Sequence, residues 1–244
     1  METLVKTVTG AKKVFVLNVA VRSQVAMPLK TVSEIAATAT TEEPERCGIK
    51  IDKTNLDFTK PMIPDQKQAK EGGTPVRSIH IDYSPAGARS MLRNTRLDII
   101  EEAKDIFASE DEALASGKPY QGRRYAIYSI WRPLKTVKRD PLVLCDPNSI
   151  DRKRDLIEDY SKRPGVNGDF IGGVLMLSGF HAEEQKWYWL EEQREDEVYF
   201  LQFYDSFAER EGRHPGVPHG SPELVGVECR ENRESIESRV VAFW

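Results

Sequence analysis

Apolar and polar residues alternate from residue 123 to 132, with Tyr125, Ile127, Ser129 and Trp131 on one side and Ala126, Tyr128 and Ile130 on the other. A period of two belongs to a β-strand. Comparable short runs at residues 4–8, 13–21, 76–82, 141–145, 172–179, 185–190, 197–204 and 234–244 predict further strands. Two stretches carry helical spacing instead. Ser84 and Pro85 offer an N-cap and a first-turn proline ahead of Ala88, Met91 and Leu92. Residues 97–108 place Ile99, Ile100, Ala103, Ile106 and Phe107 on one stripe, with acidic residues near the start, where the helix dipole favours them. Residues 151–160 are charged and read as helical or irregular. Residues 31–75, punctuated by Pro and Gly, read as loop, a wrapping arm or a lid.

Many short strands with the helices mainly upstream predict a mainly β domain over residues 1–244. Residues 1–75 would supply N-terminal strands and a loop or arm, and residues 76–244 the β core. A sandwich or an open barrel fits; the double-stranded β-helix (a cupin-like jelly roll) is one such fold, and the pattern alone does not single it out.

Composition narrows the function. Apolar residues make up 39% of the 244 and charged residues 30%, as in a soluble globular protein. A net charge of −4 leaves no basic footprint, which argues against a nucleic-acid partner. No apolar run approaches the roughly 20 residues that span a bilayer. Three widely spaced cysteines, Cys47, Cys145 and Cys229, form no CxxC pair and no even disulfide set, so a reducing, cytoplasmic setting is expected.

The candidate chemistry starts at His80 and Asp82. Two residues apart on a strand, their side chains share a face. One further imidazole would complete the two-His, one-carboxylate set of mononuclear Fe(II) oxygenases, which keeps coordination positions open. The chain has four His. His219, in the turn Pro218-His219-Gly220-Ser221-Pro222, is the preferred third ligand; His214 in the same loop is its rival, and His181 reads as a strand-end or surface residue. The plain alternative is a hydrogen-bonded His80–Asp82 pair at a strand end. On the last strand, Arg233, Ser235, Glu237 and Arg239 share a face, and either Arg could present its bidentate fork to a carboxylate. Tyr83, Trp131, Arg132, Trp187 and Trp189 are candidate substrate contacts, each with a packing or surface role as its alternative. No nucleophile elbow, P-loop or dinucleotide fingerprint occurs.

Several stretches together resemble a known family: His80-Ile81-Asp82-Tyr83-Ser84-Pro85-Ala86-Gly87-Ala88, Ile130-Trp131-Arg132-Pro133-Leu134, Arg139-Asp140-Pro141-Leu142-Val143-Leu144-Cys145-Asp146, Lys186-Trp187-Tyr188-Trp189, Tyr204-Asp205-Ser206, Pro218-His219 and residues 233–239. They are similar, in this order, to the AsaB-type hydroxylase/desaturase family of fungal secondary metabolism. That family includes relatives of the cephem methoxylase small subunit and of a gibberellin desaturase. The resemblance covers residues 76–243 and adds little over the first 75. It implies a double-stranded β-helix that uses Fe(II), 2-oxoglutarate and dioxygen on a small-molecule substrate, with His80, Asp82 and His219 on the metal. Arg233 with Ser235 would hold the co-substrate, with Arg239 as the rival; no side chain need act as a general base. Gln185-Lys186 stands where a basic pair is expected, which bears on substrate contacts of that strand. A non-redox cyclase, isomerase or pericyclase on the same scaffold, or an accessory subunit of a larger oxygenase, are the alternatives. A homodimer or a partner subunit is also open.

Overall fold

The computed structural model describes residues 1–24, 56–64, 66–227 and 230–244. Most of the expected arm or lid, together with Cys47 and Cys229, lies outside the described residues.

Two antiparallel sheets face one another. The smaller has four strands: β1 (Lys13–Arg22), β10 (Ser235–Phe243), β3 (Tyr125–Pro133) and β8 (Tyr199–Asp205), side by side in that order. The larger has six, in the order β5 (Leu156–Arg163), β6 (Phe170–Leu177), β2 (His80–Ile81), β9 (His219–Gly220), β4 (Val143–Cys145) and β7 (Trp187–Tyr188). This is the jelly-roll arrangement, whose paired sheets bury a core between them.

β3 is buried on both faces, so its alternation separates two cores rather than core from solvent. The outer face, with Ala126, Tyr128 and Ile130, packs with Val240 and Ala242 of β10 under Val5 of α1 (Glu2–Thr9). The inner face, with Tyr125, Ile127 and Trp131, joins Val241, Phe243, Leu201 and Phe203. Helices α3 (Pro85–Asn94), α4 (Leu97–Glu102) and α5 (Lys104–Ser116) add Ala88, Met91, Leu92, Ile99 and Ile106 to that core. At this end the Tyr125 hydroxyl donates to Glu110 of α5, 2.7 Å away. Toward the opposite end the inner face turns polar: β10 runs from Phe243 and Val241 to Arg239, Glu237 and Ser235, and β3 from Ile127 to Ser129. One half of the interior is packed with apolar side chains, and the other half is lined by polar ones.

Some local expectations are corrected. Residues 4–8 are helical, not a strand: Gly10 at φ 73 closes α1 with its N–H on Lys6 O, a C-cap that outweighs the β-branched residues before it. The helix expected over 97–108 breaks at Ala103 and resumes to Ser116. Residues 151–160 hold a short helix, α6 (Arg152–Asp155), and then β5, whose charges are tolerated because it is an exposed edge strand. The strands expected over 76–82 and 185–190 shrink to two residues each, and the turn around His219 contributes β9. Helix α7 (Ser206–Arg210) follows β8, while α2 (Gln66–Glu71) precedes β2.

The chain leaves β2 abruptly. Ser84 caps α3 by accepting from Gly87 N–H at 3.0 Å, and its own N–H donates to Gly173 O of β6 at 2.9 Å. A Cβ on Gly87 would collide with the Gly173 carbonyl, so helix and sheet meet here backbone to backbone. Gly87→Ala should therefore cost about 1–3 kcal/mol of stability through overpacking. Gly179→Ala, where a Cβ meets nothing within 4 Å, should change it by less than about 0.5 kcal/mol. Urea unfolding midpoints of the two variants against the parent check the contrast.

Candidate metal centre

Two short strands bring the candidate ligands together. His80 and His219 are directly opposite one another across the β2–β9 pair, which puts both side chains on the same face. Asp82, two residues on, joins them. Nε2 of His80 lies 3.8 Å from Asp82 Oδ1, and Nε2 of His219 lies 3.7 Å from Oδ2. One ligand atom from each of the three residues lies within 4.8 Å of the others.

The protonation of both rings is set by the backbone. Nδ1 of His80 sits 2.9 Å from Ser78 O, and Nδ1 of His219 sits 2.9 Å from Val217 O. A carbonyl oxygen only accepts, so each Nδ1 carries the proton and each Nε2 lone pair points inward. The same device, a carbonyl two residues upstream, orients both rings. Phe203 stacks on His219 with ring centroids 4.9 Å apart and planes 7° from parallel, which fixes the imidazole further.

Burial works to raise the Asp82 pKa, but Arg239 and the two imidazoles outweigh it and hold the carboxyl well below the usual range. Burial and His219 lower the His80 pKa; at His219 burial is outweighed by the Asp82 carboxylate, and the pKa rises. Oδ2 of Asp82 is buried without a hydrogen-bond partner among the described residues. Two inward imidazole lone pairs and an ionised, under-coordinated carboxylate on one side of a cavity fit a divalent first-row metal with open positions opposite.

The facing wall is built from β10 and β3. Arg239 Nη2 approaches Glu237 Oε2 at 3.1 Å and Asp82 Oδ2 at 3.6 Å, while Ser129 donates to Glu237 Oε1. Arg239 is thus engaged with carboxylates of the site itself. Arg233, almost fully buried, donates through Nη1 to Asp140 O at 2.7 Å and Ser221 Oγ at 3.0 Å. Its Nε and the Ser235 Oγ are both buried without a hydrogen-bond partner among the described residues. Burial and the neighbouring Arg22 push the Arg233 pKa down to about 9. This wall offers donors that an anion would satisfy.

Of the remaining candidates, Trp131 lines the cavity, and Tyr83 is buried in the core beside Phe203. Arg132 points outward and donates to Glu195 O, because it falls on the outer side of the β3 alternation. Trp187 and Trp189 are not among the cavity-lining residues. His214 and His181 lie away from the cluster, His181 beside Asp155 at 3.3 Å. Residues not singled out from sequence also build the site. Asp140, buried at φ 53, accepts from Arg233 through its carbonyl and pairs with Arg77 at 2.7 Å through its carboxylate. One row crosses all six strands of the larger sheet: Ile157, Met176, His80, His219, Leu144 and Tyr188. The two histidines are therefore flanked on both sides by apolar and aromatic side chains.

Comparisons with known proteins give the family and the fold. The model of a family described as "Oxidoreductase/YMDC permease-like domain" matches residues 1–243. A gibberellin cluster GA4 desaturase of Gibberella fujikuroi is 39% identical over 253 residues, covering 99% of this chain and 70% of the relative. An alpha-ketoglutarate-dependent dioxygenase of Talaromyces stipitatus, tstK, is 28% identical, covering 98% of this chain and 66% of the relative. The solved structure of the iron and alpha-ketoglutarate-dependent endoperoxidase NvfI superposes with a TM-score of 0.58 at 23% identity, which shows a shared fold. The chain spans 66% of that protein. Among the described residues no helix is long and apolar enough to cross a membrane.

Replacing His219 by Ala removes an inward lone pair that nothing nearby can replace. Affinity for Co(II) or Mn(II) should fall by at least the roughly 10–100-fold seen when mere supporting residues of metal sites are lost. His214→Ala should bind as the parent does. Calorimetric titration of the metal-free protein measures both.

Proposed function

The chain belongs to the hydroxylase/desaturase family of oxidoreductases, and on that footing we propose that it is a non-haem Fe(II)/2-oxoglutarate-dependent oxygenase acting on a small organic intermediate of secondary metabolism. The observation that carries this reading is the pairing of two incomplete sites across one cavity. On one wall stand His80, Asp82 and His219 with inward donors. On the other stands Arg233, with Ser235 two residues on, and both hold donors unmet among the described residues.

His80, Asp82 and His219 would hold the metal, and Arg233 with Ser235 the far carboxylate of the co-substrate. Bound there, iron and 2-oxoglutarate would activate dioxygen, the oxidant that converts the co-substrate to succinate and the substrate to a hydroxylated or desaturated product. The chain's own side chains position and shield. Arg239 keeps Asp82 ionised and held toward the cavity. Glu237 ties Arg239 in place. Trp131 packs its ring under the Arg233 guanidinium, 5.3 Å from its centroid, and helps exclude water. The apolar row beside the histidines gives a hydrocarbon skeleton a surface on which a C–H bond can be brought to the metal. No general acid or base is needed among these residues.

The test is turnover of 2-oxoglutarate to succinate in air. It should require Fe(II) and stop with a chelator. His80→Ala should abolish it. Arg233→Gln should raise the KM for 2-oxoglutarate roughly 10–100-fold, the worth of a charge-assisted hydrogen bond of about 1.5–3 kcal/mol. Turnover that survives His80→Ala would overturn the reading, and substrate conversion that persists with a chelator and without 2-oxoglutarate would mark a non-redox enzyme.

A further inference from the structure

Two features of the Arg233 wall are left over once Arg233 and Ser235 are given a role. The first is Arg22, at the end of β1. It is directly opposite Ser235 in the β1–β10 register, and its side chain lines the same cavity as Arg233 and the candidate ligands. The second is the charge balance there. The cavity wall carries Arg22, Arg233 and Arg239 against Asp82 and Glu237. Arg239 lies against both carboxylates. Asp140 gives its carboxylate to Arg77 and Arg139 and accepts a hydrogen bond from Arg233 through its carbonyl oxygen. Among the described residues no ion pair joins Arg22 or Arg233 to a carboxylate; Arg22 weighs on Arg233 electrostatically, and the more distant Asp140 and Glu237 carboxylates act against it.

Two guanidinium groups facing one cavity without a carboxylate in direct contact are a costly arrangement unless a further anion arrives. Arg22 donates through Nη1 to Thr74 O at 2.8 Å, which steadies the side chain and satisfies one arm of the fork. Among the described residues no other hydrogen bond or ion pair engages the Arg22 guanidinium. We propose that Arg22 is a second positioning residue for the far carboxylate of the 2-oxo acid, closing a clamp with Arg233 and Ser235. This rests on the oxygenase reading and deepens it. A carboxylate has about four lone-pair sites, enough for donors from two guanidinium groups and a hydroxyl. The clamp would select 2-oxo diacids over 2-oxo acids that end in a methyl group.

The test is binding rather than turnover. Mn(II) replaces Fe(II) in the full chain, and calorimetry compares 2-oxoglutarate with 2-oxopentanoate, which lacks the far carboxylate. In Arg22→Gln, 2-oxoglutarate should bind at least tenfold more weakly while 2-oxopentanoate binds as before. Arg22→Lys, which keeps the charge and loses the fork, should fall between the parent and Arg22→Gln, and it carries the test alone if Arg22→Gln does not fold. Arg233→Gln is the reference. If it erases the preference for 2-oxoglutarate and the Arg22 variants do not, Arg22 merely anchors the Thr74 segment and this inference fails alone. If neither position alters the preference, the co-substrate assignment under the proposed function fails. Equal weakening of both ligands in the Arg22 variants would also overturn the clamp, since it would reflect structural damage.

Discussion

The site depends on one cross-strand pair. Placing His80 opposite His219 fixes the separation and the common face of two imidazoles through backbone hydrogen bonds alone. Strands of two residues would be weak by themselves. Here they are held between β6 on one side and β4 on the other, inside a six-stranded sheet. The carbonyls of Ser78 and Val217 then turn the rings, so the donor geometry is a property of the main chain. Asp82 completes the set because the strand period returns it to the same face, and Ser84 immediately ends the strand by capping a helix.

Such a centre needs a polar pocket inside a sandwich whose other half is apolar. The molecule separates the two along the strands themselves. β3 and β10 are hydrophobic where they meet the helices and polar where they meet the histidines. Charges kept indoors are arranged in pairs, Arg239 with Glu237 and Asp82, and Arg77 with Asp140. The atoms left without a hydrogen-bond partner among the described residues, Arg233 Nε, Ser235 Oγ and Asp82 Oδ2, are the places where ligands would bind. A buried group that lacks a partner is unfavourable in the empty site and becomes a source of affinity when its ligand arrives.

Much of this was legible in residue order. The period of two exposed the inner and outer faces of β3, and the His80-Ile81-Asp82 spacing revealed a shared face. Ser84-Pro85 announced the helix start. What stayed hidden were consequences of long-range register. Nothing near Arg22 in the chain says that it will lie opposite Ser235, and nothing near Met176 or Leu144 says that they will flank the histidines. Edge strand β5 was obscured because solvent allows charges there, and α1 because its β-branched residues suggest a strand while its Gly10 cap decides for a helix. The choice between Arg233 and Arg239 could not be made from a face that both share. Their partners differ only in three dimensions: Arg239 meets carboxylates, and Arg233 meets a carbonyl and a hydroxyl.

The central claim is that three side chains from β2 and β9 and their ends surround one metal ion. Diffraction at the absorption edge of Mn(II) or Fe(II), from crystals grown without oxygen, addresses it directly. The account predicts one anomalous peak about 2.0–2.2 Å from Nε2 of His80, Nε2 of His219 and an Asp82 carboxylate oxygen, with both Nδ1 bonds to the backbone intact. A peak elsewhere, or none at this cluster in metal-replete crystals, would contradict it.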